Sequence, residues 1–212
     1  GAHLGYRNGT MYSSYTAASF ARKHLLAEKH GVNFEGATTW AFEFEDQPYF
    51  AGFRAMASNG LTLPVFNVHR MMAKMSGRRI DTVSSGDPGV EAIIKGGVRG
   101  APDVGALASF DAAKRQLSVL VWHYHDDDVP GADAAIELAL AGLQSPAAGE
   151  ARLAHHRVDG QHSNAYALWQ TLGSPTAPSR VQYAQLEAAA QLAQLKDAPA
   201  TISVRNGTGM MQ

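Results

Sequence analysis

The 212-residue chain contains no cysteine, which excludes disulfides and thiolate-bound zinc and leaves the redox compartment open. It has no apolar run of about eighteen residues, the length a membrane-spanning helix needs. Its formal net charge is only −1, so no global field draws it to nucleic acid or a membrane. Nor is any stretch both basic and aromatic enough to suggest nucleic-acid binding. Gly1-Ala2-His3 lacks a basic start and an apolar h-region, so no signal peptide is expected there, and bacterial cytoplasm and periplasm both remain open. Gly96-Gly97 is not followed by a G-x-x-x-x-G-K-[ST] run, and no G-x-S-x-G elbow occurs. No cofactor is expected. Lysine is scarce while alanine and glycine are heavily used, a usage that fits a GC-rich bacterial genome.

What is there begins with Thr38 to Asp46, TTWAFEFED. Thr38, Trp40, Phe42 and Phe44 fall on one face of an extended segment, and Thr39, Ala41, Glu43 and Glu45 on the other, so the period predicts a strand. Aromatic rings beside carboxylates suit a sugar, which offers flat C–H faces for stacking and hydroxyls for acceptors. The plainer alternative is a strand with core aromatics and solvated acids at its end.

Around this stretch the chain reads as two styles of text. Residues 1 to 10 read as a loop, with Asn8-Gly9 as a turn and Thr10 as an N-cap. Met11 to His30 has helical spacing, with Met11, Tyr15, Ala18, Ala21 and Leu25 as its stripe and Gly31 as its C′ residue. A polar-aromatic loop from Glu45 to Gly60 follows the strand. A second helix starts near Pro64, with Val65, Val68, Met72 and Met75 buried, and stops at Gly77. That order is how a parallel α/β layer is written. After Gly77 come short alternating segments: Arg78 to Ser84, residues 117 to 124, residues 136 to 140, Ala151 to Val158 and Thr201 to Val204. Residues 86 to 105 are rich in glycine and proline. Turns at Val129-Pro130-Gly131 and Ser145-Pro146 punctuate them, and the pattern predicts an antiparallel sandwich. One helix interrupts it, opened by the capping box Ser179 and Gln182, with Tyr183, Leu186, Ala190 and Ala193 as its stripe. The boundary is expected near Gly77, giving domains 1–77 and 78–212.

His123, His125, Asp126, Asp127 and Asp128 are the densest set of metal-ligand types. Two histidines one apart on a strand share a face, but the acids precede Pro130-Gly131, where a solvated hairpin loop is simpler. No metal is expected. His155-His156 alternates faces and is expected to be structural.

TTWAFEFED, the aromatic loop and NGLTLPVFNVHRMMAKMSG resemble the last strand and helix of the catalytic barrel in glycoside hydrolase family 39, the β-xylosidases with α-L-iduronidases as relatives. WHYHDDDVPG and HHRVDGQHSNAYALWQTLGSPTAPSRVQYAQLEAA are similar to that family's accessory β-sandwich and its inserted helix. The resemblance covers nearly the whole chain. It implies an α/β plus all-β fold: last strand/helix units of a (β/α)8 barrel, then a β-sandwich. His3 to Thr10 resembles the loop into the seventh barrel helix.

The family implies a retaining mechanism with one glutamate as acid/base and a second as nucleophile. Its Asn-Glu-Pro and Thr-Glu motifs do not occur in this sequence. The expectation is therefore an internal fragment without catalytic residues, since a full barrel takes ~250 residues. Trp40 resembles the aromatic floor of the xylose subsite, and Glu45 and Asp46 the acidic pair that accepts from sugar hydroxyls. Glu43 and Glu45, two apart on one strand face, are weighed as replacement carboxylates and set aside because both would approach from one side. The implied ligand is a small sugar or xylo-oligosaccharide. A homo-oligomer or the missing barrel half is expected to cover strand edges in residues 1–77, which would otherwise be poorly ordered. The alternative is a stand-alone carbohydrate-binding or structural β-sandwich module without catalysis.

Overall fold

A computed structural model describes residues 4–127, 132–143 and 148–211. His3, Asp128, the Val129-Pro130-Gly131 and Ser145-Pro146 turns and Gln212 lie outside them. The architecture is mixed α/β with antiparallel sheets, and among the described residues there is no closed barrel. The chain divides into two compact units, Gly1–Val129 with Val158–Leu192, and Pro130–Arg157 with Ala193–Gln212.

The larger unit opens with α1 (Leu4–Asn8) and α2 (Thr10–His30). The expected loop over residues 1 to 10 is thus helical from Leu4. Gly9 occupies the cap and Thr10 is already inside α2, because Gly9 donates its N–H to the Gly5 carbonyl at 2.8 Å and continues the turn. Gly31 ends α2 in the left-handed region, as a C′ glycine does. The buried face of α2 is Ser13, Thr16, Ala17, Ala18, Ala21 and Arg22. Tyr15 and Leu25, expected in the stripe, are exposed. Small side chains hold that face because α2 packs closely on both α3 (Pro64–Ala73) and β5 (Gln116–Tyr124).

Residues 38 to 44 do not form the expected strand. They hold one parallel bridge, Ala41 to Ala55, and the Phe42 carbonyl accepts from the Met56 and Ala57 amides at 2.8 Å each. A parallel strand needs a ladder on a neighbouring strand to persist, and the described residues supply only this contact. A hairpin missed by periodicity follows: β1 (Ala57–Ser58) and β2 (Leu61–Thr62), joined by Asn59-Gly60 with φ of 51° and 79°. Two positive φ values are what a type I′ turn demands, and Asn-Gly supplies them at least cost. Helix α3 has Pro64 in its first turn, as expected, but ends at Ala73 rather than at Gly77. Val65 and Val68 are buried, while Met72 and Met75 are half-buried against the core.

A three-stranded antiparallel sheet comes next, ordered β3 (Arg78–Ile80), β4 (Asp103–Asp111), β5. Strand β3 stops four residues short of Ser84. The glycine-rich stretch conceals α4 (Val90–Gly96) and the start of β4. Gly105 lies opposite Trp122 in the β4–β5 register, and a Cβ there would stand 2.4 Å from the indole ring. On β5 the alternation holds: Leu120, Trp122 and Tyr124 are buried while Val121 and His123 are exposed. Helices α5 (Ala165–Thr171), which the periodicity missed, and α6 (Arg180–Ala189) complete the unit. The capping box of Ser179 and Gln182 forms as expected.

The smaller unit is a four-stranded antiparallel sheet, ordered β6 (Leu138–Leu140), β9 (Thr208–Met211), β8 (Thr201–Arg205), β7 (Ala148–Arg152). The strand expected over Ala151 to Val158 is displaced toward the N-terminus and ends at Arg152, and His156 makes only an isolated bridge to Gln194.

One polar cluster ties the larger unit together. Asp103 on β4 is fully buried. Arg22 from α2 bonds its carboxylate at 3.0 Å and also reaches Asp87 at 2.8 Å. The Trp122 indole N–H donates to Asp103 at 3.0 Å, and the guanidinium lies 5.6 Å from the Trp122 ring. Burial pushes the Asp103 carboxyl above its usual range, and Arg22 and Trp122 pull against that shift. Removing one partner of a buried pair leaves a stranded charge, whereas removing both is far milder. Arg22→Met should cost about 3–5 kcal/mol by denaturant unfolding, and Arg22→Met with Asp103→Leu should cost clearly less than either single change. A double variant as damaged as the sum of both would contradict this.

His69 on α3 meets the Phe20 ring edge-on at 6.4 Å, and burial lowers its affinity for a proton. The unfolded chain, titrating near 6.5, therefore binds the proton first. This contribution is intact above that pH and is lost as the pH falls through it. Unfolding at pH 7.5 and 5.5 should show a shallower acid loss for His69→Phe than for the unmodified chain.

Candidate functional site

The loop of residues 40–60 is held from beneath by one side chain. Phe50 is completely buried among Met56, Leu61, Leu63, Tyr166 and Leu186, with its ring 5.3 Å from Tyr166 and 5.0 Å from Trp169. Both of its backbone groups are satisfied: the carbonyl accepts from Asn8 Nδ2 at 2.7 Å and the amide donates to Ser58 Oγ at 2.6 Å. Phe50 has φ of 57°, a left-handed conformation costing about 1–2 kcal/mol. Burial of a phenylalanine stabilises by about 1.5–3 kcal/mol, so the anchor outweighs the strain. Asp46, Arg54 and Asn59 share that conformation.

Carboxylate and amide groups fix the rest of the frame. Glu43 Oε1 accepts from the Gly60 amide at 2.8 Å, Asn59 donates to the Gln47 carbonyl at 3.1 Å, and the Tyr183 hydroxyl donates to the Asn59 carbonyl at 3.1 Å. A Cβ at Gly60 would meet that hydroxyl at 2.8 Å. Glu43 is therefore a clasp on the turn, and the strand face that would have aligned it with Glu45 is not formed.

On this frame the aromatics point to solvent. Trp40 is 77% exposed and Phe42 54%. Phe42 meets Phe66 edge-on at 5.4 Å, and Arg70 lies 4.6 Å over Phe66. Glu45 and Asp46 sit in the exposed turn that follows. Among the described residues no hydrogen bond, ion pair or ring contact joins Trp40 to Glu45 or Asp46, so the structure places the three on one loop without assembling them into a closed pocket. A neighbouring group escaped the sequence reading: Phe53, 49% exposed, with Arg54 at 5.2 Å and Arg7 at 5.7 Å from its ring. Arg7 comes from α1, and nothing in its spacing signals that contact.

The His-Asp cluster is not gathered around an ion. Asp126 accepts from the Val98 amide at 2.6 Å and the Tyr124 hydroxyl at 2.7 Å, which ties β5 to the segment after α4. His125 Nδ1 accepts from the Asp127 amide at 3.2 Å, and His123 is exposed. Among the described residues no group of three or more His, Cys, Asp or Glu could hold a metal, and no helix is long and apolar enough to cross a membrane.

This architecture is found in solved glycoside hydrolase structures. A GH39 β-xylosidase from Caulobacter crescentus aligns with a TM-score of 0.60 at 15% identity, over 97% of this chain and 40% of its own. The GH39 enzyme from Xanthomonas axonopodis pv. citri gives 0.66 at 18% identity, over 97% and 39%. A monomeric β-xylosidase from Caulobacter crescentus CB15 gives 0.56 at 16%, over 97% and 41%. At such identities the likeness concerns fold, and this chain spans about two-fifths of their length. No curated protein sequence matches it. Residues 11–207 match the family model of glycosyl hydrolases family 39, and the chain belongs to that family.

The frame and the wall should separate on mutation. Phe50→Ala should cost about 3–5 kcal/mol, while Trp40→Ala should stay within about 0.5 kcal/mol of the parent. Chemical denaturation of both variants checks this, and a large loss at Trp40 would place it in a core instead.

Proposed function

We propose that this chain is the C-terminal part of a retaining β-xylosidase-like glycoside hydrolase, the whole protein removing terminal β-xylosides from xylo-oligosaccharides. In this reading residues 1–77 complete a (β/α)8 barrel and residues 78–212 form the accessory β-sandwich. Family membership over residues 11–207 supports it. The observation that carries it is Trp40, a large aromatic 77% exposed on a loop anchored by the buried Phe50 and by Glu43. Trp40 supplies a stacking surface for a pyranose ring, and Glu45 and Asp46 accept hydrogen bonds from its hydroxyls. The bond-breaking carboxylates belong outside this chain, and Glu43 and Glu45 do not replace them. Glu43 is committed to the Gly60 amide, and the strand face that would pair it with Glu45 is not formed.

Calorimetry with xylobiose tests the wall. Binding should be weak, in the millimolar range (about −4 kcal/mol), and lost in Trp40→Ala, with no turnover of an aryl β-xyloside. Turnover lost in Glu43→Gln or Glu45→Gln would overturn the assignment of roles. Absence of any binding would favour the second reading, a structural module without catalysis.

A further inference from the structure

The smaller unit carries a cleft that the xyloside reading does not use. Its origin is a mismatch in backbone length. The Leu195 amide donates to the His155 carbonyl at 2.8 Å, and the Leu153 amide donates to the Ala200 carbonyl at 2.8 Å. Between those two bonds one side of the pairing has a single residue, Ala154, and the other has four, Lys196 to Pro199. The surplus must leave the ladder, as extra residues do in a bulge. It bows outward beside Leu153 and His155, and side chains of both segments line the same cleft.

The resulting cleft has a volume of about 420 Å³, within the range of small-molecule sites. Leu153, Leu195, Ala198, Pro199 and Ala200 give it apolar walls, and its polar groups are His155, Gln194 and Lys196. One cation, one imidazole and one carboxamide line it, with no carboxylate. Burial, then Arg157 and His156, keep the His155 imidazole neutral to lower pH than usual. The lining thus carries one cation and no anion, with Asp197, exposed beside Lys196 on the same bow, outside it; an imidazole that resists a proton here would accept one beside a bound anion.

We propose that this cleft binds a small organic carboxylate with an apolar body, its carboxylate held by Lys196, Gln194 and His155 and its body lying on Leu153, Leu195 and Pro199. The assignment is independent of the xyloside reading and survives its failure. The lining makes the choice of class: Lys196 gives a carboxylate a partner that a neutral sugar does not need.

Benzoate is the probe, with benzamide as its neutral isostere and xylose as the sugar control, added to the full chain while the histidine ring signals are followed by NMR. His155 is assigned by the signal missing in His155→Gln. Benzoate should shift the His155 signals saturably with a Kd at or below roughly 5 mM. It should also raise the pH at which His155 titrates. Lys196→Gln should weaken binding about threefold, the worth of an exposed charge. Lys196 is exposed, so this variant keeps its fold, and the benzoate–benzamide comparison needs no variant at all. No saturable change at His155, benzamide or xylose binding as tightly as benzoate, or an unaltered Lys196→Gln would each overturn the proposal.

Discussion

A carboxylate sealed from water must be met by a cation, and the larger unit is arranged around that requirement at Asp103. Arg22 can reach it only because α2 presents alanines at 17, 18 and 21 and so lies close to the sheet. Trp122 serves the pair twice, donating to Asp103 and covering the guanidinium. The indole fits over β4 only because residue 105 has no side chain. Helix, sheet and the Asp87 segment are thereby joined through one arginine, which pairs with both Asp103 and Asp87. Burial disfavours the charged Asp103 while its partners favour it, so the two effects oppose each other within the cluster.

The loop of residues 40–60 solves a different problem. It has almost no ladder of its own, so side chains hold it. Phe50 sinks one point into the core, Glu43 clasps Gly60, and Asn59 and Tyr183 close the turn. Four non-glycine residues there take positive φ, and such strain persists only where the surroundings over-determine it. The same anchors leave Trp40 and Phe42 facing water.

Much of this was legible from residue order. The C-terminal stop of α2 at Gly31, the first-turn proline of α3, the capping box of α6 and the alternation of β5 rest on local chemistry that spacing reports directly. The failures share one cause. Strand β4 is written with glycine and alanine because it faces an indole and an alanine-lined helix, so its apolar signal is muted. TTWAFEFED has the period of a strand, but a strand also needs a partner, and pairing is not a property of a segment. Tyr15 and Leu25 matched a helical stripe, yet the neighbours of α2 select a face about one residue further round. At the site, the sequence placed Trp40, Glu45 and Asp46 on one stretch. Their exposure, and the company of Arg7 with Phe53, depend on contacts across more than forty residues.

The order of residues by itself determined the local elements and the kinship with glycosyl hydrolases family 39, because these depend on period, turn chemistry and motif. Tertiary structure alone decided that Glu43 is a clasp, that Phe50 is the anchor, that Asp126 ties strand to loop, and that residues 196–199 open a cleft. Each of those outcomes depends on where a distant amide or ring comes to lie, and chain spacing carries no record of that distance.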